Sequence, residues 1–117
     1  METFEKVKIA VKALDSKKGF DIKVIKIDDV SILGDYFIIA SGNTSTQVRA
    51  LTDEVDEKMS QQGIEPGHVE GRSSGWILLD YGDVVIHVFT RSEREFYSLE
   101  KMWQDGQEID ISDIISE

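Results

Sequence analysis

The stretch that most constrains this chain runs from Gly75 to Trp103, GWILLDYGDVVIHVFTRSEREFYSLEKMW. Two apolar runs flank Gly82-Asp83, and a Gly-Asp pair between such runs is a strong signal for a two-residue hairpin loop. With those two residues as the loop, counting outward sets the register: Tyr81 faces Val84, Asp80 faces Val85, Leu79 faces Ile86, Leu78 faces His87, Ile77 faces Val88 and Trp76 faces Phe89. Side chains alternate across a strand, so one sheet face carries Ile77, Leu79, Tyr81, Val84, Ile86 and Val88, which is nearly pure core. The other carries Trp76, Leu78, Asp80, Val85, His87 and Phe89. A face used only for packing has little need of an acid and a histidine among large rings, so this mixed face is the candidate for function.

The flanking segments follow from periodicity and caps. Thr3 is placed to cap a first helix from Phe4 to about Lys18, with Phe4, Val7, Val11 and Leu14 on one side and Gly19 as the C′ residue. Asp21 to Ile27 has the β-branched character of a strand, and Asp28-Asp29 punctuates the turn after it. Tyr36 to Ser41 is a short buried strand. Thr44 and Gln47 form a capping-box pattern for a second helix to about Gln62, ended by Gly63, with Val48, Leu51, Val55 and Met59 on its inner side. The segment from Ile64 to Ser74 is a loop with room for a short strand near His68 to Glu70.

After the hairpin, Ser92 and Glu95 form a second capping-box pattern, opening a third helix through about Trp103 with Phe96, Leu99, Met102 and Trp103 inward. Residues 104–117 alternate isoleucine with acid, as a frayed tail or an edge strand would. The expected organisation is one globular domain over 1–103 and an acidic C-terminal tail over 104–117. The fold class is α/β (α+β): a small mixed sheet flanked by helices, with the helix between YFIIAS and WILLDY able to connect parallel strands.

Composition narrows the functions. The 117 residues include no cysteine, which removes disulfides, thiol catalysis and thiolate metal sites. No apolar run approaches the roughly 20 residues of a membrane span, and no signal peptide is visible, so a cytoplasmic protein is expected. The net charge of −10 disfavours phosphate-dominated nucleic-acid binding. Residues 1–27 hold seven lysines against four acids, whereas residues 104–117 hold five acids and no base. An acidic chain with exposed rings suits a basic protein partner, since complementary fields speed and orient encounter.

The enzymatic readings are thin. Ser41-Gly42 before a helix, with acids on a later strand, loosely resembles a magnesium-dependent nucleotidyltransferase, the alternative reading of this chain. Yet Asp80 and Asp83 straddle the hairpin turn and cannot alternate on one strand face. Asp80 and His87 share the mixed face but are not opposed, and no nucleophile joins them. There is no phosphate-binding GxxxxGK, dinucleotide fingerprint or HExxH. No catalytic residue, cofactor or metal ligand is therefore expected.

The blocks DYFIIASGNTSTQVRAL (Asp35–Leu51), Glu70-Gly71, GWILLDYGDVVIHVF (Gly75–Phe89) and REFYSLEKMW (Arg94–Trp103) together resemble the ribosomal silencing factor, or iojap-like, family. The likeness covers nearly the whole chain except the acidic tail, and Met102 stands where leucine is common. It implies a nucleotidyltransferase-like fold without transferase chemistry. It also implies binding to ribosomal protein fourteen of the large subunit, a basic protein at the intersubunit face. Such a factor sterically blocks joining of the small subunit, repressing translation when nutrients are scarce. Members also form homodimers, so self-association is implied, while neither a membrane nor a specific nucleic-acid sequence is an expected partner; a homodimeric scaffold for another protein is a third reading. Set beside the two-face pattern, the partner-binding residues expected are Trp76, Leu78, Asp80, His87, Phe89, Glu95, Tyr97 and Glu100.

Overall fold

A computed structural model describes residues 3–26, 36–71, 75–92 and 107–115. The apolar period of the N-terminal segment produces helix α1 (Thr3–Ser16), which buries Val7, Ala10, Val11, Ala13 and Leu14. The chain leaves it differently from expectation. Lys18, not Gly19, takes the left-handed conformation, with φ of 65°. A Cβ on Gly19 would lie 2.9 Å from the Leu14 carbonyl oxygen and 3.1 Å from a Leu51 methyl. Gly19 is thus required by close approach of backbone to backbone rather than by its own dihedral.

Strand β1 (Phe20–Lys26) follows at once and pairs antiparallel with β2 (Tyr36–Gly42). Phe20 opposes Ser41 but Lys23 opposes Ile39, so β1 carries one extra residue, a bulge at which Asp21 adopts a φ of 49°. Ile27 and the Asp28-Asp29 pair lie outside the described residues. Helix α2 (Ser45–Gln61) starts at the expected cap: the Thr44 hydroxyl accepts from the Gln47 amide at 3.0 Å. The Gln47 side chain does more than close that box. Its carbonyl accepts from the Asn43 amide, and its Nε2 donates to the Lys18 and Lys17 carbonyls at 3.1 and 3.4 Å. One glutamine therefore satisfies backbone groups at the start of α2 and at the exit of α1. Past Gln62, the amides of Gly63 and Ile64 turn back to Ser60 and Met59, and Gly63 supplies the positive φ that this Schellman closure needs.

The remaining elements are β3 (His68–Glu70), β4 (Trp76–Asp80), β5 (Val84–Thr90), β6 (Gln107–Ile109) and a short helix α3 (Ser112–Ile115). The hairpin closes as counted, with Trp76 opposite Phe89, Ile77 opposite Val88, Leu78 opposite His87, Leu79 opposite Ile86 and Asp80 opposite Val85. Gly82 takes φ of 88° in the loop, a conformation open to glycine at no steric cost. The six strands run in the order β3-β4-β5-β2-β1-β6. The parallel partner of β2 is β5, with Ile38 beside Ile86, and not β4 as the helix between YFIIAS and WILLDY suggested. That crossover passes through α2, β3 and β4 before β5 returns to the centre of the sheet.

Helices α1 and α2 cover one face of the sheet. Ile38, Ala40, Ile77, Leu79, Val84, Ile86 and Val88 meet Val7, Val11, Leu14, Val48, Leu51, Val55 and Met59 there. The hairpin loop is tied to this layer by a carboxylate. Asp83 accepts from the Thr3 hydroxyl at 2.7 Å and from the Lys6 ammonium at 3.0 and 3.2 Å. Thr3 therefore reaches outward to the hairpin rather than simply capping its own helix. Partial burial opposes ionisation of Asp83, but the bonds from Thr3 and Lys6 outweigh it and hold the carboxyl below its ordinary value.

The C-terminal segment belongs to this architecture. β6 pairs antiparallel with β1, placing Ile109 opposite Val24, and Ile114 of α3 is buried in the core with α1. An edge strand and a packed turn of helix thus occupy residues that the boundary at 103 assigned to a tail. Their isoleucine–acid alternation was the strand signal.

Candidate functional site

Strands β5 and β2 sit at the centre of the sheet, and every described side chain of β5 except Thr90 is buried. On the face away from α1 and α2, Ile25, Phe37, Ile39, Val85 and Phe89 form a second apolar cluster with Trp76 and Leu78 packed against it. The mixed face is therefore largely a second core. Phe89 is 0% exposed and His87 only 5%, so neither is itself an exposed anchor. The signal was present in VVIHVFT, an apolar run interrupted only by His87 before Thr90, close to the near-continuous runs of strands buried on both sides.

The rings interlock around His87. Trp76 stacks on Phe89 at 5.1 Å between centroids, and His87 lies 6.0 Å from Phe89 and 5.9 Å from both Phe37 and Trp76. The Trp76 indole N–H donates to His87 Nδ1 at 3.1 Å. Burial lowers the His87 pKa to about 4, so the imidazole is neutral at physiological pH and keeps that lone pair.

Around Trp76, the described side chains that reach solvent lie along β4 and its neighbour β3. Trp76, Leu78 and Asp80 are half-buried. β3 pairs antiparallel with β4, setting His68 opposite Asp80 and Glu70 opposite Leu78, and paired residues share a face. Glu70 and His68 are exposed and joined at 2.9 Å between Oε1 and Nε2. The site margin is thus an aromatic and an aliphatic side chain bordered by two carboxylates and a histidine. Glu70 and His68 were absent from the residues expected there. The short strand was foreseen, but its pairing with β4 depends on contacts that local sequence does not specify. Glu95, Tyr97 and Glu100, the remaining expected contacts, lie outside the described residues.

Asp80 has a structural task as well. Its Oδ1 accepts from the Gly82 amide at 2.8 Å, bracing the hairpin loop. With Asp80 directed to the loop and His87 Nδ1 to the indole, the two do not form an acid–base pair. Among the described residues, no group of three His, Cys, Asp or Glu side chains is placed to hold a metal ion. The Ser41-Gly42 turn also has a packing explanation. A Cβ on Gly42 would meet Leu51 and Val48 side chains and the Val48 amide nitrogen, each at 3.3 Å. Gly42 admits α2 against the sheet, which is not the role of a phosphate-facing glycine. Among the described residues, no helix is long and apolar enough to cross a membrane.

Comparison with known proteins places this geometry. The family model described as ribosomal silencing factor during starvation matches residues 1–117. The ribosomal silencing factor RsfS of Halalkalibacterium halodurans is 38% identical over 117 residues, covering 99% of this chain and 100% of that one. RsfS of Bacillus subtilis is 40% identical over 106 residues, covering 90% of each chain. A crystal structure of a Chromobacterium violaceum protein superposes with a TM-score of 0.86 at 35% identity, over 96% of this chain and 93% of that one. One from Bacillus halodurans gives 0.82 at 37%, over 92% and 99%. On the sequence match and the shared fold together, the chain belongs to the ribosomal silencing factor family.

Proposed function

We propose that this protein silences translation without chemistry of its own. It docks on ribosomal protein fourteen of the large subunit and occupies space that the small subunit needs, so that fewer ribosomes assemble when nutrients are scarce. Membership of the family supports a ribosome-associated silencing role. The observation that carries the docking mode is the margin of β4 and β3, where Trp76 and Leu78 stand half-buried beside the carboxylates of Asp80 and Glu70. A large ring set in a partly desolvated position and bordered by charge is the usual form of an interface hot spot. The net charge of −10 favours a basic partner over nucleic acid. In this reading the protein is cytoplasmic, and it can also self-associate as a homodimer.

Co-sedimentation with purified large subunits across a salt series tests the proposal. Binding should weaken as salt rises, because the acid-to-base contacts are partly exposed. Trp76→Ala combined with Asp80→Asn should lower affinity by roughly 30-fold or more, the scale of one hot-spot residue. Asparagine keeps an acceptor for the Gly82 amide, so the hairpin survives while the charge is lost. Failure of the wild-type protein to sediment with large subunits, or to reduce subunit joining, refutes the reading.

A further inference from the structure

We propose that His87 is a positioning residue for Trp76: from beneath the surface, its Nδ1 selects the one indole orientation that a ribosomal partner meets. The inference rests on the reading of the Trp76 margin as the docking surface.

Trp76 is only half-buried, and the torsion that turns its indole is broad and roughly two-fold. Stacking on Phe89, with 26° between the ring planes, restrains the plane of the indole. Stacking alone does not decide which edge of the ring points inward, because either edge offers the same apolar face to Phe89. The hydrogen bond to His87 Nδ1 makes that choice, since the indole has one donor and no acceptor. It holds the N–H edge of the indole against the buried imidazole.

The arrangement needs an acceptor at one place in a buried apolar setting. His87 is itself fixed there by Phe37 and Phe89, whose rings lie within 6.0 Å of the imidazole. A protonated imidazole would present a donor to a donor, and burial among these rings is what keeps it neutral. An aromatic anchor already held in its bound rotamer loses less conformational freedom on docking, an advantage on the order of tenfold in affinity for one side chain. His87 contributes to the interface through Trp76, which explains a polar residue at a position almost closed to solvent.

Substitutions at residue 87 separate orientation from packing. Asparagine places its carbonyl oxygen near the position of Nδ1, whereas leucine fills similar space with no acceptor. In the free protein, the indole N–H resonance of Trp76 is identified as the one missing from Trp76→Phe, and its hydrogen exchange is followed. His87→Leu should lose exchange protection at that indole and bind large subunits about tenfold more weakly, whereas His87→Asn should retain both. Should His87→Leu fail to fold, His87→Gln takes its place, because its amide reaches the Nε2 position instead. Unchanged indole protection, or unchanged subunit affinity, in a folded variant without the Nδ1 acceptor overturns the proposal. If wild-type protein itself does not bind large subunits, the docking reading fails, and the exchange measurement alone decides whether His87 orients Trp76.

Discussion

Removing the carboxylate of Asp83 should cost this small domain about 2 kcal/mol. Three contacts converge on it: the Thr3 hydroxyl at 2.7 Å and the Lys6 ammonium spanning both oxygens at 3.0 and 3.2 Å. A hydrogen bond to a charged group contributes about 1.5–3 kcal/mol when well shielded. Here the side chains of Lys6 and Asp83 are 17% and 27% exposed, so solvent screening reduces the ion pair toward about 1 kcal/mol. The negative charge also sits beside the first turn of α1, where the helix dipole adds a few tenths. Asp83→Ala should therefore lower the melting temperature by roughly 6–10 °C, taking 3–5 °C per kcal/mol for a chain of this length. Urea titrations of Asp83→Ala, Lys6→Met and the double variant would give a coupling of about 1 kcal/mol between the two residues. The pH dependence supplies an independent check. Because the folded state holds this carboxyl below its ordinary value of 3.8, its contribution is complete above that pH. It disappears as the pH falls through the lower folded value. A variant within about 0.5 kcal/mol of wild type, the range of an inconsequential surface change, would refute the clamp. So would a stability difference that persists undiminished at pH 2.

Three further outcomes are expected. His87 is neutral in the fold with a pKa of about 4, while an unfolded histidine takes up its proton near 6.5. Stability should therefore decline as pH drops from 6.5 toward 4, by at most about 3 kcal/mol; denaturant midpoints of His87→Asn should lose that part of the slope. Gly19→Ala should destabilise by about 1–3 kcal/mol by the cost of overpacking, since the new methyl would press on the Leu14 carbonyl, and a thermal melt would show it. Ile114→Ala should cost about 2–4 kcal/mol, because the side chain is 7% exposed and embedded in the core; a near-zero change in urea midpoint would mean that the C-terminal segment does not contribute to the fold.

The parts of the fold that could be read from the sequence are those set by neighbours in the chain. The Gly82-Asp83 loop, with apolar runs on each side, determined five strand pairs by counting. The Thr44–Gln47 cap and the Gly63 stop depend on residues no more than five apart. What escaped was set by partners remote in sequence. Nothing near Tyr36 indicates that it will lie beside Val84, and this parallel pairing puts β5 between β4 and β2 in the middle of the sheet. His87 and Phe89, two residues expected to touch a partner, are buried there among the rings of the second cluster. Gly19 was recognised as a helix exit, yet its necessity comes from Leu14 and Leu51 and not from a left-handed turn. Glu70 reached the candidate site because β3 folds back along β4, a placement its own neighbours do not encode.

The bond from Thr3 to Asp83 spans 80 positions of chain, whereas the Trp76–His87 bond spans 11. Closing a long loop loses more chain entropy than closing a short one, and that loss precedes any gain from the contacts it permits. The hairpin that carries the Trp76 margin can therefore form early, on its own turn. The first helix should join that hairpin later, once the strands between them have formed. Destabilising the clamp should hasten unfolding far more than it slows folding, and a chevron would show the change mainly in its unfolding arm. The proposed docking surface is thus built on the most local part of the topology, and a contact that spans 80 positions acts as its latch.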